Sequence, residues 1–489
     1  MFLGINSNNH DASIALIEPC TSSNHKILFA GHAERYSRKK NDEHINADLL
    51  WDCYKYGTPT KIFWYEKPWL KATRKWYSGQ QPYYYNLKEY LAQFNLDQLP
   101  IETVNHHEAH AAMGFYTSKF EEAHILVIDA IGEWNTTSIW KHAQGKMHRV
   151  LTLNYPHSMG LFYSAITQAC DLKPNEEEYI LMGMAAYGHP YHAEQMKRDF
   201  FKIWRPPYMK LNENLHHGCR GYFDDKNWNK YDIAASAQAV FEEYVLKTAA
   251  WIAKDADNIK NLIIVGGAAL NCVANGKIRD EGLFDNIWVP PNPGDAGLCI
   301  GAIAAKTKRH VEFDNAYLGY DIQKEFDFKG LIDTLENGEI TAIAHGRAEF
   351  GPRALGHRSL LADPRGPDIK DRVNEIKKRQ KFRPFAPLIL EEHATIYFEN
   401  VKYNQEYMQW TNNCRFPEEF PAICHVDGTS RIQTVPKNNN MIRKVLEAFY
   451  SRTGCPMLLN TSLNIKGEPL VNTWQDAERF SKLHNVKVF

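Results

Sequence analysis

No apolar run in the 489 residues approaches the roughly 18–20 that a membrane-crossing helix needs. The opening residues Met1 to Asn6 lack the basic and apolar regions of a secretory leader. A cytoplasmic protein with no membrane partner is expected. Cysteine is sparse and unpatterned, with nine residues and no Cys-x-x-Cys pair, which argues against a disulfide framework and for reduced thiols. Excess charge of either sign is also missing. Lys and Arg number 57 against 58 Asp and Glu, for a formal net charge of -1, so no global field marks a nucleic-acid or membrane partner and only a local patch could. At this length about two or three domains are expected, with ample chain for large cores.

What is abundant is arginine in one place. Residues 346–365 hold Arg347, Arg353, Arg358 and Arg365 together with three glycines. Glycine lets backbone approach a ligand closely, and guanidinium forks match phosphate or carboxylate oxygens. The expectation is an oxyanion site gripped by arginines, the bland alternative being a solvated basic loop. Lys377, Lys378, Arg379, Lys381 and Arg383 continue the theme up to the rigid stop Pro384-Phe-Ala-Pro387.

Earlier in the chain, residues 2–5 and 14–17 read as strands around a polar turn holding His10 and Asp11. An imidazole beside a carboxylate suits a general base. Residues 45–100 read as helical or irregular. Within them, residues 63–77 and the run Tyr83 to Tyr85 mix aromatic and basic side chains, which suits stacking with phosphate contact. His106 and His110 stand at i and i+4, one helix face and metal-ligand spacing; His107 with His110 is a second pair. A buried strand over 124–128 delivers Asp129, and a return strand follows, so the chain reads as two related halves, each opening with a hairpin. Residues 190–230 read as a long aromatic-basic loop, an acceptor-specificity segment. An amphipathic helix is expected over 232–247. Strands over 262–265 and 287–289 lead into the Gly266-Gly267 helix start, which suits phosphate or adenosine, and into Asp295 at a helix N-terminus. Residues 314–324 read as a linker, and Asn460, Thr461, Ser462 and Asn464 sit in a polar turn after a strand.

Taken jointly, residues 4–13, 106–111, 266–275, 293–297, 346–365, 382–387 and 460–462 resemble the O-carbamoyltransferases of the nodulation and antibiotic-tailoring type. The resemblance implies an α/β protein of two domains. Residues 1–315 would be an N-terminal actin-like ATPase (ASKHA, Kae1-like) domain, and 322–489 a C-terminal YrdC-like α/β domain. It implies that carbamoyl phosphate and ATP, with Mg, give carbamoyl-adenylate in the C-terminal domain, and that the carbamoyl group then moves to a hydroxyl in the N-terminal domain. By position, His106, His110, Asp129 and Asp295 match metal ligands, a set that suits Fe, Mn or Zn. Gly266, Gly267, Asn271 and Asn275 lie where nucleotide is held. Arg353, Lys377, Arg383, Arg431 and Ser462 match the carbamoyl-phosphate and adenylate site, and His10 matches the group that handles the acceptor proton. A homodimer is expected by analogy.

The alternative enzyme is a tRNA threonylcarbamoyl transferase using bicarbonate and threonine; the non-enzymatic alternative is a nucleotide-sensing module that binds ATP without turnover. The acceptor is expected to be a hydroxyl on a sugar or natural product, or the hydroxymethyl group of a pyrimidine in a nucleotide or in DNA, for which the base would leave the duplex.

Overall fold

The computed structural model describes residues 1–489 apart from Pro82, Tyr83, Ala256, Asn404 and 438–440. The chain forms two compact units. One takes Met1–Asn6, Ile14–Ile27 and Gly57–Phe313; the other takes Ser7–Ser13, Leu28–Tyr56 and Asp314–Phe489. Among the described residues no helix is long and apolar enough to cross a membrane.

Two sheets share one plan. The first contains β1 (Phe2–Asn6), β2 (Ser13–Glu18), β3 (His25–His32), β4 (Lys61–Trp64) and β5 (Ile101–Thr103) in the order 3-2-1-4-5. β1, β4 and β5 run parallel. The second contains β6 (Ala123–Ile128), β7 (Asn135–Ala143) and β8 (Lys146–Asn154). The hairpin β9 (Phe201–Arg205) and β10 (Tyr208–Leu211) stands apart, and β11 (Asn261–Val265) and β12 (Asn286–Trp288) complete the second sheet. Its order is β8-β7-β6-β11-β12, with β6, β7 and β8 antiparallel and β6, β11 and β12 parallel. The repeated order is the actin-like arrangement, and it bears out the two related halves. β13 (Val311–Glu312) adds an edge to the first sheet beside β3.

β6 is buried along its whole length, the pattern of a strand covered on both faces. One cover is the helix His106–Thr117. Its Gly114 lies so close to β11 that a Cβ there would sit 2.6 Å from Ile263, and the Gly301 Cβ position on the helix Leu298–Thr307 is 2.1 Å from the Ala109 carbonyl. The two helices therefore pack backbone to backbone, which glycine alone permits.

In the other unit, β14 (Tyr317–Ile322) falls inside the stretch expected to be a linker and pairs with β16 (Gly346–Glu349). β15 (Thr341–Ala344), β17 (Arg358–Ala362), β18 (Ala386–Leu390), β21 (Gln433–Val435), β22 (Met457–Ser462) and β23 (Lys487–Val488) form a mixed sheet, order β21-β18-β22-β17-β15-β23. β19 (Asn412–Asn413) and β20 (Thr429–Ser430) form a separate pair. Leu331, Leu335, Val445 and Phe449 of the helices Phe328–Glu336 and Met441–Thr453 pack with Leu388 and Leu458 of the sheet. Ala477 and Phe480 pack with Leu360 and Leu463 in a separate apolar cluster.

Two expectations fail for the same reason: short elements carry little periodic signal. Residues 45–100 contain β4, whose Phe63 and Trp64 are core residues with Tyr65 behind them. Tyr83 of the expected aromatic run lies outside the described residues. Residues 190–230 are not a loop throughout but hold the helix Ala193–Phe200 and the β9–β10 hairpin, with Phe200, Phe201 and Met209 buried. Lys197 there pairs with Glu243 at 2.5 Å, and the Trp204 indole donates to the same carboxylate. Lys197, Phe200, Phe201 and Trp204 thus turn inward, while Arg198, Lys202, Arg205, Tyr208 and Lys210 stay exposed. The expected helix over 232–247 is Lys230–Ile252.

Gly301→Ala should cost about 1–3 kcal/mol of stability through overpacking. Gly221→Ala, with open space around its Cβ position, should stay within about 0.5 kcal/mol of the parent. Urea denaturation followed by tryptophan fluorescence measures both, and equal effects would contradict the close helix packing.

Candidate functional site

The first turns of the helix His106–Thr117 carry His106 and His110 on one face. Asp129 follows the last residue of β6, and its N–H donates to the Thr136 carbonyl at 2.9 Å. Asp295 opens the turn Asp295–Gly297 before the helix Leu298–Thr307. One ligand atom from each of the four lies within 4.8 Å of the others, and all four side chains are buried. His106 Nε2 is 3.4 Å from both Asp129 Oδ2 and Asp295 Oδ1, and His110 Nε2 is 3.3 Å from Asp295 Oδ1. These separations are long for hydrogen bonds. The ring nitrogens of both histidines have no hydrogen-bond partner among the described residues. Four converging donors of this chemistry, with orphaned buried nitrogens, fit a divalent cation.

Electrostatics agree with that fit. Burial opposes a charge on His106, but Asp295 and then Asp129 outweigh it and hold the imidazolium well above its usual range. Burial and Asp295 push Asp129 up, yet His106 and His110 bring it below the ordinary carboxylate range. His107 differs. Its Nδ1 meets Ser138 Oγ at 2.7 Å, and burial drives it well below the usual imidazole range. The His107–His110 pair is thus set aside.

Glu133 is the residue that sequence reasoning missed. It is buried, and its carboxylate accepts the His106 N–H at 3.1 Å and the Lys67 N–H at 2.7 Å. It fixes the start of the ligand-bearing helix. The loop it belongs to lies flat on the rings, since a Cβ on Gly132 would stand 2.9 Å from His106 Cδ2. An acidic residue directly after a turn glycine was the only signal.

The Gly266–Gly267 segment adjoins this cluster. Gly267 N–H donates to Asp129 Oδ1 at 3.3 Å, and Gly266 has φ 90°. Asn271 accepts from Ala274 N–H and exchanges bonds with Gln238, and Asn275 donates to the Ala269 carbonyl. Both amides are engaged within the fold. His10, which belongs to the other unit, is exposed in the turn between β1 and β2, with Nδ1 3.2 Å from Asp11 Oδ2.

In the other unit, strand register gathers the remaining candidates. β22 ends at Ser462, paired with Ser359 at the start of β17. Ala386 at the start of β18 pairs with Asn460, and Gln433 at the start of β21 pairs with Leu388. Arg383, Arg431, Ser462 and the loop preceding β17 that holds Arg353 therefore stand at one end of the sheet. Asn460 and Gln433 tie that loop down by donating to the Ala354 and Leu355 carbonyls, each at 3.0 Å. Lys377, buried after the helix Ile369–Ile376, donates to Ser462 Oγ at 3.0 Å and to Asn464 Oδ1 at 2.6 Å. Burial, then Arg379 and Arg383, hold its ammonium well below the usual range. Arg431 Nε has no hydrogen-bond partner among the described residues.

The four-arginine grip is corrected. Arg358 is fully buried and donates to five carbonyls, those of Asn472, His345, His357, Tyr320 and Gly346. Arg347 donates to the Leu28, Leu318 and Gly319 carbonyls. Arg365 clamps Asp363 and the Thr453 carbonyl. These three are engaged by the protein's own carbonyls and by Asp363. Glu349, also missed, receives the N–H groups of Leu355, His357 and Arg358 on one buried oxygen.

A family model described as carbamoyltransferase N-terminus matches residues 65–304, and one described as carbamoyltransferase C-terminus matches residues 332–489. Among curated proteins, sll1178 of Synechocystis sp. is 31% identical over 98% of this chain and 93% of its own length. Nodulation protein NolO of Bradyrhizobium diazoefficiens is 33% identical over 76% of this chain and 75% of its own length. Nodulation protein NolNO of Sinorhizobium fredii is 33% identical over 78% of this chain and 62% of its own length.

Replacing His110 or Asp295 by alanine should weaken uptake of Mn²⁺, Fe²⁺ or Zn²⁺ at least about 100-fold, as loss of a direct ligand exceeds the 10–100-fold typical of outer partners. His107→Ala should leave uptake within about tenfold. Metal content after dialysis against a competing chelator reads both, and equal sensitivity of His107 and His110 would refute the ligand set.

Proposed function

The chain belongs to the carbamoyltransferase family, and from that premise we propose that it transfers the carbamoyl group of carbamoyl phosphate, through carbamoyl-adenylate, to an acceptor hydroxyl. The observation that carries this reading is the gathering of Arg383, Arg431, Ser462 and the Arg353 loop at one sheet end, beside a lysine whose ammonium is buried. Carbamoyl phosphate and Mg-ATP are polyanions, and such a site binds them and stabilises charge on departing phosphate oxygens.

The balance is simple. Water releases inorganic phosphate from carbamoyl phosphate, and a carbamate oxygen then displaces pyrophosphate from the α-phosphorus of ATP. Arg353, Arg383 and Arg431 grip the phosphate oxygens, while Lys377 orients Ser462 and Asn464. In the transfer, the acceptor oxygen bonds to the carbamoyl carbon, the bond to the adenylate oxygen breaks, and AMP leaves. His10, oriented by Asp11, accepts the hydroxyl proton. His106, His110, Asp129 and Asp295 would hold a divalent cation, Fe, Mn or Zn, which when bound polarises an acyl oxygen or steadies a leaving phosphate. The backbone at Gly266 and Gly267 would meet nucleotide.

The acceptor is a hydroxyl on a sugar or natural product, or on a hydroxymethylpyrimidine nucleotide or DNA. The tRNA alternative is disfavoured, since the matching family models are of carbamoyltransferases and named relatives are nodulation proteins.

Incubation with ATP and carbamoyl phosphate should yield carbamoyl-adenylate by mass spectrometry. Arg383→Ala and Arg431→Ala should each lower its rate at least about tenfold, from the ~1.5–3 kcal/mol of a charged hydrogen bond. Parental rates in both variants, or an adenylate that requires bicarbonate and threonine, would overturn the proposal.

A further inference from the structure

The loop bearing Asp129 and Glu133 continues into Trp134, and a second group of side chains gathers around that residue. Arg74, on the helix Pro68–Tyr77, is only 6% exposed. Its Nε and one terminal nitrogen have no hydrogen-bond partner, and it forms no ion pair among the described residues. Glu66, the acidic group that influences it, is itself taken up by Lys71 at 3.1 Å and by the Tyr85 hydroxyl. A buried guanidinium left without a counter-ion is costly, and its donors call for an acceptor that the described residues do not supply.

Its neighbours form a cradle. The guanidinium carbon stands 5.5 Å from the centroid of the buried Tyr155 ring, whose hydroxyl receives a 2.6 Å bond from Asn214. His216 meets the same ring edge-on at 5.9 Å, and its buried Nδ1 has no hydrogen-bond partner among the described residues either. Two further rings belong to this group. Trp134 accepts the Tyr155 N–H on its carbonyl at 2.8 Å, and its indole donates to Thr73, the residue before Arg74, at 3.2 Å. Tyr77, largely exposed, tilts against Trp134 with centroids 5.4 Å apart. The Glu133 carboxylate joins this region to the metal-ligand cluster, because it holds the backbone of both Lys67 and His106.

We propose that Arg74 and His216 bind a phosphate monoester on the acceptor and that Trp134 and Tyr77 stack its flat ring. The acceptor is thereby a hydroxyl-bearing nucleotide rather than an uncharged sugar. Two free guanidinium N–H groups match two phosphate oxygens, and the imidazole can add a third contact. The aromatic pair offers the stacking surface that a base requires. This rests on the reading that the hydroxyl is carbamoylated in the unit holding His106.

The test compares a hydroxymethylpyrimidine nucleoside 5′-monophosphate with the unphosphorylated nucleoside, in the parent, R74Q and R74K. The parent should prefer the monophosphate in kcat/KM by at least about tenfold. R74Q should erase that preference by raising KM for the monophosphate at least about tenfold with little change for the nucleoside, and R74K should retain part of it. Y77A should raise KM for both substrates. No preference in the parent, or an equal effect of R74Q on both substrates, overturns the proposal, as does AMP binding the protein as tightly as the pyrimidine nucleotide at Arg74. Calorimetry with inorganic phosphate decides the anion site independently of turnover. Binding by the parent that R74K weakens supports it, and absence of binding sinks it. Adenylate formation from ATP and carbamoyl phosphate in the parent separates a failure of the donor chemistry from a failure of the Arg74 site.

Discussion

Two carboxylates and two imidazoles, all out of water, form the constraint around which the first unit is arranged. Burying such groups costs several kcal/mol per ion unless partners converge on them. Here the partners converge because the backbone is allowed no slack. Gly301 brings the Leu298–Thr307 helix against the Ala109 carbonyl, Gly114 sets the His106–Thr117 helix on β11, and Glu133 pins the first amide of that helix. Asp129 and Asp295 then arrive from the ends of a strand and a loop that the sheet order has already placed. A divalent cation would take the place of the positive charge that Asp295 and Asp129 hold on His106, since two neutral imidazoles and two carboxylates leave a net charge of opposite sign to it.

The second unit answers a different electrostatic problem. Its arginine-rich stretch looks uniform in sequence but divides by burial. Arg347, Arg358 and Arg365 are tied to backbone carbonyls or to Asp363. They hold the loops around β16 and β17. Arg353, Arg383 and Arg431 are only half-buried, which is the state expected of groups that meet a soluble polyanion. The loops are therefore stapled by one set of cations, and in the proposed function another set meets the substrate.

Much of this was legible in the chain. The i, i+4 spacing of His106 and His110 is local, so the helix that unites them could be read directly. Asp129 was marked by the end of an apolar strand and Asp295 by a helix N-terminus, but only the family resemblance made them ligands of one metal with the two histidines. The hairpins opening both halves were visible as short apolar runs around polar turns, and the common sheet order bears them out. β4 and the β9–β10 hairpin were not legible, because four or five residues give no period and their aromatics resemble a surface motif. Which arginines turn inward was equally hidden. That choice depends on carbonyls of Tyr320, His345 and Asn472, far apart in sequence and brought together only by the sheet. Glu133 and Glu349 were missed because a buried carboxylate that caps loop amides has no spacing rule.

The most direct test of the account is an anomalous difference map from crystals soaked in Mn²⁺. It should show one peak in the first unit, within about 2.0–2.3 Å of ring nitrogens of His106 and His110 and oxygens of Asp129 and Asp295. A map with no peak among these four side chains at full soaking, or a peak held by a different set, would contradict the account.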